Sequence, residues 1–288
     1  MRDHLVKATA ADGRIRAVAI RTTGLADEAR KRHELSVTAA ATLGKALTGG
    51  LLLASTLRKS GRLNVRVVGH GPIGGIFVDA GSDGTVRGYV GSPQLDLPPR
   101  EDGQLNIGGA VGHEGFMAVT YDVGRRPYTG TVELVSGELG EDFTSYLANS
   151  EQIPSAMSLG IFVEHGEVKS AGGFLVQLMP GAGDEIAERL EQTVKNMPTF
   201  STLQQEEVPL STILKQLLEG FNVEIHQEDQ DVLFSCHCDS ERVLDAIRIL
   251  GEAEIRDMIE VDGKAEVRCH FCNEQYVVPR EDLERLVS

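Results

Sequence analysis

The four cysteines constrain this chain more than any other feature. They fall as two close pairs near its end, Cys236-His237-Cys238 and Cys269-His270-Phe271-Cys272, and no cysteine precedes them. Two short pairs separated by a foldable stretch can converge on one tetrahedral metal ion, and thiolates suit zinc best. Each pair can also close a disulfide on itself. Which of these happens depends on the compartment. The start, MRDHLVKATAADG, lacks the long apolar run of a signal peptide. The most apolar stretch, Ala46 to Ala54, is too short to span a bilayer. A cytoplasmic location with no membrane partner is therefore expected, where thiols are kept reduced, so that the cysteines at rest are metal ligands.

Spacing alone leaves a permanent structural zinc site, a regulatory site and a catalytic site open. Four thiolates fill the tetrahedron and leave no position for water or substrate. His237 and His270 can substitute as ligands, but each lies inside a Cys pair, and solvated neighbours are the simpler assignment. No HExxH, GxSxG or GxxxxGK[ST] appears, so an enzyme is not expected. The CxC spacing favours regulation more than a second CxxC would. A disulfide across one intervening residue closes a small strained ring, and strained disulfides are labile. Disulfide sulfur binds zinc poorly, so oxidation would couple zinc loss to unfolding.

Charge sorts the partners. Residues 1–180 carry 18 Lys+Arg against 19 Asp+Glu, a net of −1, while residues 181–288 carry 10 against 24, a net of −14. A zinc module that grips nucleic acid presents Lys and Arg to phosphates; the cysteine-bearing part of this chain would repel them. Nucleic acid is not an expected partner.

The fold class expected is α+β: a mostly antiparallel sheet core with packed helices over 1–180, a helical linker over 181–231, and a small zinc-binding domain of helices plus a β-hairpin over 232–288. In the core, Leu5–Ala10 and Ile15–Ile20 read as strands around a turn at Asp12-Gly13. Ser36 can cap a long helix running to about Arg58, whose Gly44, Gly49 and Gly50 suggest close packing. Leu63–Val68, Ile73–Val78 and Val86–Val90 read as further strands, with turns at Asp83-Gly84 and His165-Gly166. Gly69-His70-Gly71-Pro72-Ile73-Gly74 matches GxGxxG, but a strand-like run follows where a dinucleotide site needs a helix.

Past Pro180-Gly181-Ala182-Gly183 the chain turns acidic and helix-favouring, with no sheet pattern until Lys264. Asp184–Asn196 carries Ile186, Leu190 and Val194 on one face. Ser211 can cap a second helix whose stripe is Ile213, Leu214, Leu217 and Leu218. Helices this short must dock to persist. After Cys238, Asp239 or Ser240 can start a helix that ends at Gly251, and Ala253–Glu260 suggests another. Ala265–Val267 and Tyr276–Val278 read as a hairpin with Cys269 and Cys272 at its tip. So small a unit buries little apolar surface, and a structural metal would supply about 10 kcal/mol or more.

The ending, CxC followed by CHFCNEQY, resembles the redox switch of the 33-kilodalton heat-shock chaperone family. Gly71-Pro72-Ile73-Gly74, Val135-Ser136-Gly137-Glu138-Leu139, Ser150-Glu151-Gln152-Ile153-Pro154-Ser155 and Ala171-Gly172-Gly173-Phe174 are similar to it in order and spacing. The likeness runs over essentially the whole chain, with 181–231 matched by character instead of motif. It implies an ATP-independent holdase that is inactive when reduced and zinc-bound. It further implies one zinc ion on Cys236, Cys238, Cys269 and Cys272, and oxidation to the disulfides Cys236–Cys238 and Cys269–Cys272. Zinc release, unfolding of the C-terminal region and linker, and binding of unfolded or partly folded client proteins, often as a homodimer, complete the implied mechanism. The rival reading is a constitutive zinc-stapled module that binds RNA or a protein partner.

Overall fold

A computed structural model of the chain describes residues 2–58, 60–124 and 126–287, leaving aside the side chains of 227–229. The chain forms two compact units, Met1–Phe234 and Ser235–Ser288.

In the first unit, β1 (His4–Ala10) and β2 (Ile15–Arg21) form an antiparallel hairpin. Ala11, Asp12 and Gly13 turn it with positive φ. Two helices follow, α1 (Thr23–His33) and α2 (Val37–Ala54). Then come β3 (Arg62–Val68), β4 (Ile76–Gly81), β5 (Thr85–Val90), α3 (Ile107–Val111), β6 (Phe116–Asp122), β7 (Tyr128–Glu133) and α4 (Gly140–Asn149). The long hairpin β8 (Ser155–Glu164) and β9 (Glu167–Leu178) precedes three helices, α5 (Asp184–Asn196), α6 (Phe200–Gln205) and α7 (Leu210–Leu217). Strands β10 (Glu224–Asp231) and β11 (Leu233–Phe234) close the unit. One sheet has the order β10-β1-β2-β9-β8 and the other β11-β5-β4-β3-β6-β7. Every pairing in them is antiparallel except the short β11–β5 ladder. The α+β, mostly antiparallel class read from the sequence is the observed one.

Helix α2 lies against β8 and β9 of one sheet and β4 and β5 of the other. Ser36 caps it, its side chain accepting from Ala39 N. It ends at Ala54, short of Arg58. By length and composition it is apolar enough to cross a membrane, yet 89% of it is buried inside the protein, as a core helix is. Its glycines are there for contact. A Cβ on Gly44 would come 2.5 Å from Ile161 Cδ1, and one on Gly50 would come 2.8 Å from Val78 Cγ1; one on Gly49 would run into the Phe143 ring.

The β1-β2-β9 part of the first sheet is apolar on both faces. Because side chains alternate along a strand, Leu5, Val18, Ile20 and Leu175 enter the core around α2. Their neighbours Val6, Ala8, Ala10, Ala17, Ala19, Phe174 and Val176 face a second core. That second core is completed by α5, α6 and α7. Leu190 is buried, Ile186 and Val194 pack partly buried beside it, and Ile213, Leu214, Leu217 and Leu218 are fully buried. Both expected stripes therefore point inward. Pro209, not Ser211, precedes α7, and its carbonyl accepts from Ile213 N at 3.0 Å.

Two elements of 181–231 carry no sequence signal. Helix α6 is capped by Thr199 and buries Phe200 and Leu203. The acidic Glu224–Asp231 is strand β10, paired to the edge of β1. No helix begins at the GxGxxG match. Gly71 N donates to Val111 O at 2.9 Å, and side chains at Gly69 or Gly71 would collide with the Val111–Gly112 backbone, so these glycines serve loop packing.

Candidate metal centre

The second unit contains α8 (Ser240–Leu250), α9 (Glu252–Val261), β12 (Lys264–Arg268), β13 (Gln275–Pro279) and α10 (Arg280–Leu286). Asp239 starts α8, its side chain accepting from Arg242 N at 2.8 Å, which fixes the chain direction directly after Cys238. Gly251, at φ +95°, ends α8 and admits α9. The i, i+4 pairs Val243/Ile247 and Ile255/Ile259, the cross-strand pair Ala265/Val278, and Leu283 make the buried core. It is a small core, and Ile249 and Val261 remain 86% and 72% exposed.

Strands β12 and β13 pair from Lys264↔Pro279 to Arg268↔Gln275. The tip beyond is closed by Cys269 N donating to Glu274 O at 2.9 Å and Asn273 N donating to Cys269 O at 2.8 Å. Asn273 sits at φ +61°, a left-handed position that Asn tolerates. Both cysteines of the pair thereby turn inward. Cys236 and Cys238 arrive from the segment before α8, and all four sulfurs lie within 4.8 Å of one another. Cys236 Sγ is 3.8 Å from Cys269 Sγ, and Cys238 Sγ is 3.2 Å from Cys272 Sγ. Zinc–sulfur bonds of about 2.3 Å in a tetrahedron put sulfurs about 3.8 Å apart, so the donor set fits a zinc ion.

Burial pushes the Cys269 thiol above its ordinary pKa, against hydrogen bonds from the Cys272 and Phe271 backbone amides. Burial pushes Cys272 higher still, helped by the neighbouring thiols and opposed by the Glu274 amide. Four thiolates this close repel one another. A dication reverses the balance, because a coordinating thiol is deprotonated outright.

This geometry sits in a chain whose residues 3–279 match the family model described as Hsp33 protein. The chain belongs to the Hsp33 family. It is 51% identical over 292 residues to the 33 kDa chaperonin of Gloeothece citriformis, covering 100% of this chain and 98% of that one. To the 33 kDa chaperonin of Gloeobacter violaceus it is 50% identical, covering 100% and 96%. The crystal structure of the 33 kDa chaperonin (heat shock protein 33 homolog) from Thermotoga maritima superposes with a TM-score of 0.91 at 38% identity, over 99% of this chain and 97% of that one. Family membership makes this chain a chaperone, and its clustered cysteines fit the zinc-binding and redox character of Hsp33.

The structure brings all four sequence-expected cysteines together. His237 and His270 are exposed and stand outside the four-sulfur group. The stripe residues of α5 and α7 belong to the first unit and dock on its sheet. Sequence reasoning missed Tyr276, whose hydroxyl donates to Cys238 Sγ at 3.1 Å. Hydrogen bonding to that sulfur, then burial, raises the phenol pKa. A signal was available: Tyr276 shares its strand face with buried Val278, and an inward-facing Tyr needs a partner for its hydroxyl.

Proposed function

We propose that this chain is a redox-gated, ATP-independent holdase. In the reduced state Cys236, Cys238, Cys269 and Cys272 hold one zinc ion, and the apolar stripes of 181–231 stay docked. Oxidation forms the disulfides Cys236–Cys238 and Cys269–Cys272. Each bond then lies within one segment, so the two segments that the metal joined are released from one another. The second unit, with its small core, loses the metal's stabilisation and unfolds. Disorder passes along the chain, since Cys236 lies two positions beyond β11, into edge strands β11 and β10 and the helices before them.

The surface so exposed is the α5 and α7 stripes together with the alanine-rich sheet face they cover. Exposed apolar surface of this extent captures unfolded or partly folded proteins. Homodimerisation in the active state, a cytoplasmic setting, indifference to nucleic acid and the absence of an enzymatic step belong to the same reading. The observation that carries it is the four-sulfur cluster in a unit too small to be secure without metal. The test is suppression of aggregation of a chemically unfolded client, followed by light scattering. Reduced, zinc-loaded protein is compared with the same sample after peroxide at raised temperature. Suppression only after oxidation, reversed by a thiol reductant, is expected. Equal suppression in both states would leave a chaperone without a redox gate.

A further inference from the structure

We infer that Tyr276 is a positioning residue of the sulfur cluster: its hydroxyl holds Cys238 in place as a metal ligand and damps the reactivity of that sulfur. The inference rests on the zinc reading above. A phenol has one proton to give, and a ligating thiolate can only accept, so the 3.1 Å contact has one direction, O–H to sulfur. The hydroxyl is aimed by the fold. Tyr276 pairs with Val267 across the hairpin, its ring packs on the unit's core, and the closed tip from Cys269 to Glu274 sets its offset from Cys272. Cys238 belongs to the other cysteine pair. The hydrogen bond therefore ties the hairpin to the segment before α8 independently of the metal.

Its chemical effect follows from where the sulfur's electrons go. When Cys238 meets an alkyl iodide, an S–C bond forms as iodide leaves. With hydrogen peroxide, an S–O bond forms as the O–O bond breaks, and the departing hydroxide takes a proton to become water. Both reactions draw on the lone pairs that accept the Tyr276 proton, and both cost the metal a ligand. A donor to a metal ligand of this kind is worth about 10- to 100-fold in metal affinity.

A ring that merely packs is separated from a hydroxyl that works by Tyr276→Phe, which keeps the ring. Tyr276→Leu removes both. Full-length wild type and both variants are loaded with cobalt(II) or zinc. Metal content, the sulfur-to-cobalt charge-transfer band, far-UV circular dichroism and zinc release to a chromogenic chelator under iodoacetamide or hydrogen peroxide are read. Tyr276→Phe is expected to keep wild-type circular dichroism, shift the cobalt band to longer wavelength, and release zinc about 10-fold faster. Tyr276→Leu should show the same shift with lower thermal stability. A wild-type band and release rate in Tyr276→Phe would overturn the inference while leaving the zinc reading intact. Wild type that takes up no metal would overturn the zinc reading, and this inference with it.

Discussion

Phe200→Ala should uncouple the docking of 181–231 from the state of the cysteines. Phe200 opens α6 and is 1% exposed. It stands 6.5 Å from Phe174, ring centre to ring centre, and seats in a notch made by two glycines. A side chain at Gly172 would run into its ring, and one at Gly160 would come 2.5 Å from Ser201 N. Removing a buried Phe from such a site costs about 3–5 kcal/mol. Helix α6 spans six residues, far below the roughly 12–15 at which an isolated helix becomes marginal in water. It has no stability of its own to absorb the loss. At about 1.4 kcal/mol per factor of ten, undocking becomes more favourable by roughly two to more than three orders of magnitude.

Two readouts check this in reduced, zinc-loaded protein. Hydrogen exchange should show lost protection at the amides of Leu203 and Val208, which donate to Thr199 O and Leu203 O in the docked state. Light scattering should show partial suppression of client aggregation without oxidant. Zinc content should stay at the wild-type level, because Phe200 and the cysteines belong to different units. If those amides open and the oxidant requirement is untouched, undocking of these helices is not what the gate controls, and the mechanism proposed above fails at that step.

Three further outcomes are expected. Replacing Leu217 and Leu218 with Gln places polar groups at two fully buried positions, forfeiting about 1.5–3 kcal/mol of burial at each; reduced protein should again be partly active, and an unchanged need for oxidant counts against the linkage. Stripping zinc with a chelator under reducing conditions should melt the second unit, read as lost helical circular dichroism, while amides in β3, β4 and β6 keep their slow exchange; melting of those strands at the same chelator concentration would refute independent stability of the first unit. Asp27 is opposed by partial burial, yet hydrogen bonds from Lys31, Arg30 and Val168 N hold its carboxyl below the usual range. A depressed folded pKa stabilises above the unfolded value and is lost as pH falls through the folded one. Wild type should thus exceed Asp27→Asn in thermal stability at neutral pH, with the gap closing in acid; a gap independent of pH would refute the assignment.

How much of this was legible depended on where each element gets its stability. Helix α5 runs from Asp184 to Asn196, as its four-residue apolar spacing announced, and α8 runs from Ser240 to Leu250, between the cap Asp239 and the breaker Gly251 that stand in the sequence. The cysteine cluster was legible because metal spacing is a local pattern. Strand β10 was not, since EIHQEDQD has the composition of a solvated loop. It is a strand because β1 offers a free edge, and tertiary context overrides propensity. Helix α6 failed for a related reason: its anchor is one Phe that needs Gly160 and Gly172, and those glycines lie on β8 and β9, remote in sequence. Helix α10 buries only Leu283, too little periodicity to read.

The layer of α5, α6 and α7 has a property that bears on mechanism. The sheet face under α7 carries Ala8, Ala10, Ala17 and Ala19 beside Val6 and Ile15, in a core that also holds Phe174 and Val176. The alanines leave room there for the large side chains of α7 and the residue after it, Ile213, Leu214, Leu217 and Leu218, all completely buried. None of the three helices is long enough to persist undocked. The first unit can therefore lose this layer and still keep the separate core around α2, because Leu5, Val18, Ile20 and Leu175 point to the other face of the same strands. In the proposed mechanism no new binding site has to be built. The same side chains are core while docked and client-binding surface once released, so metal loss at the cysteines can switch the chaperone on without a nucleotide cycle.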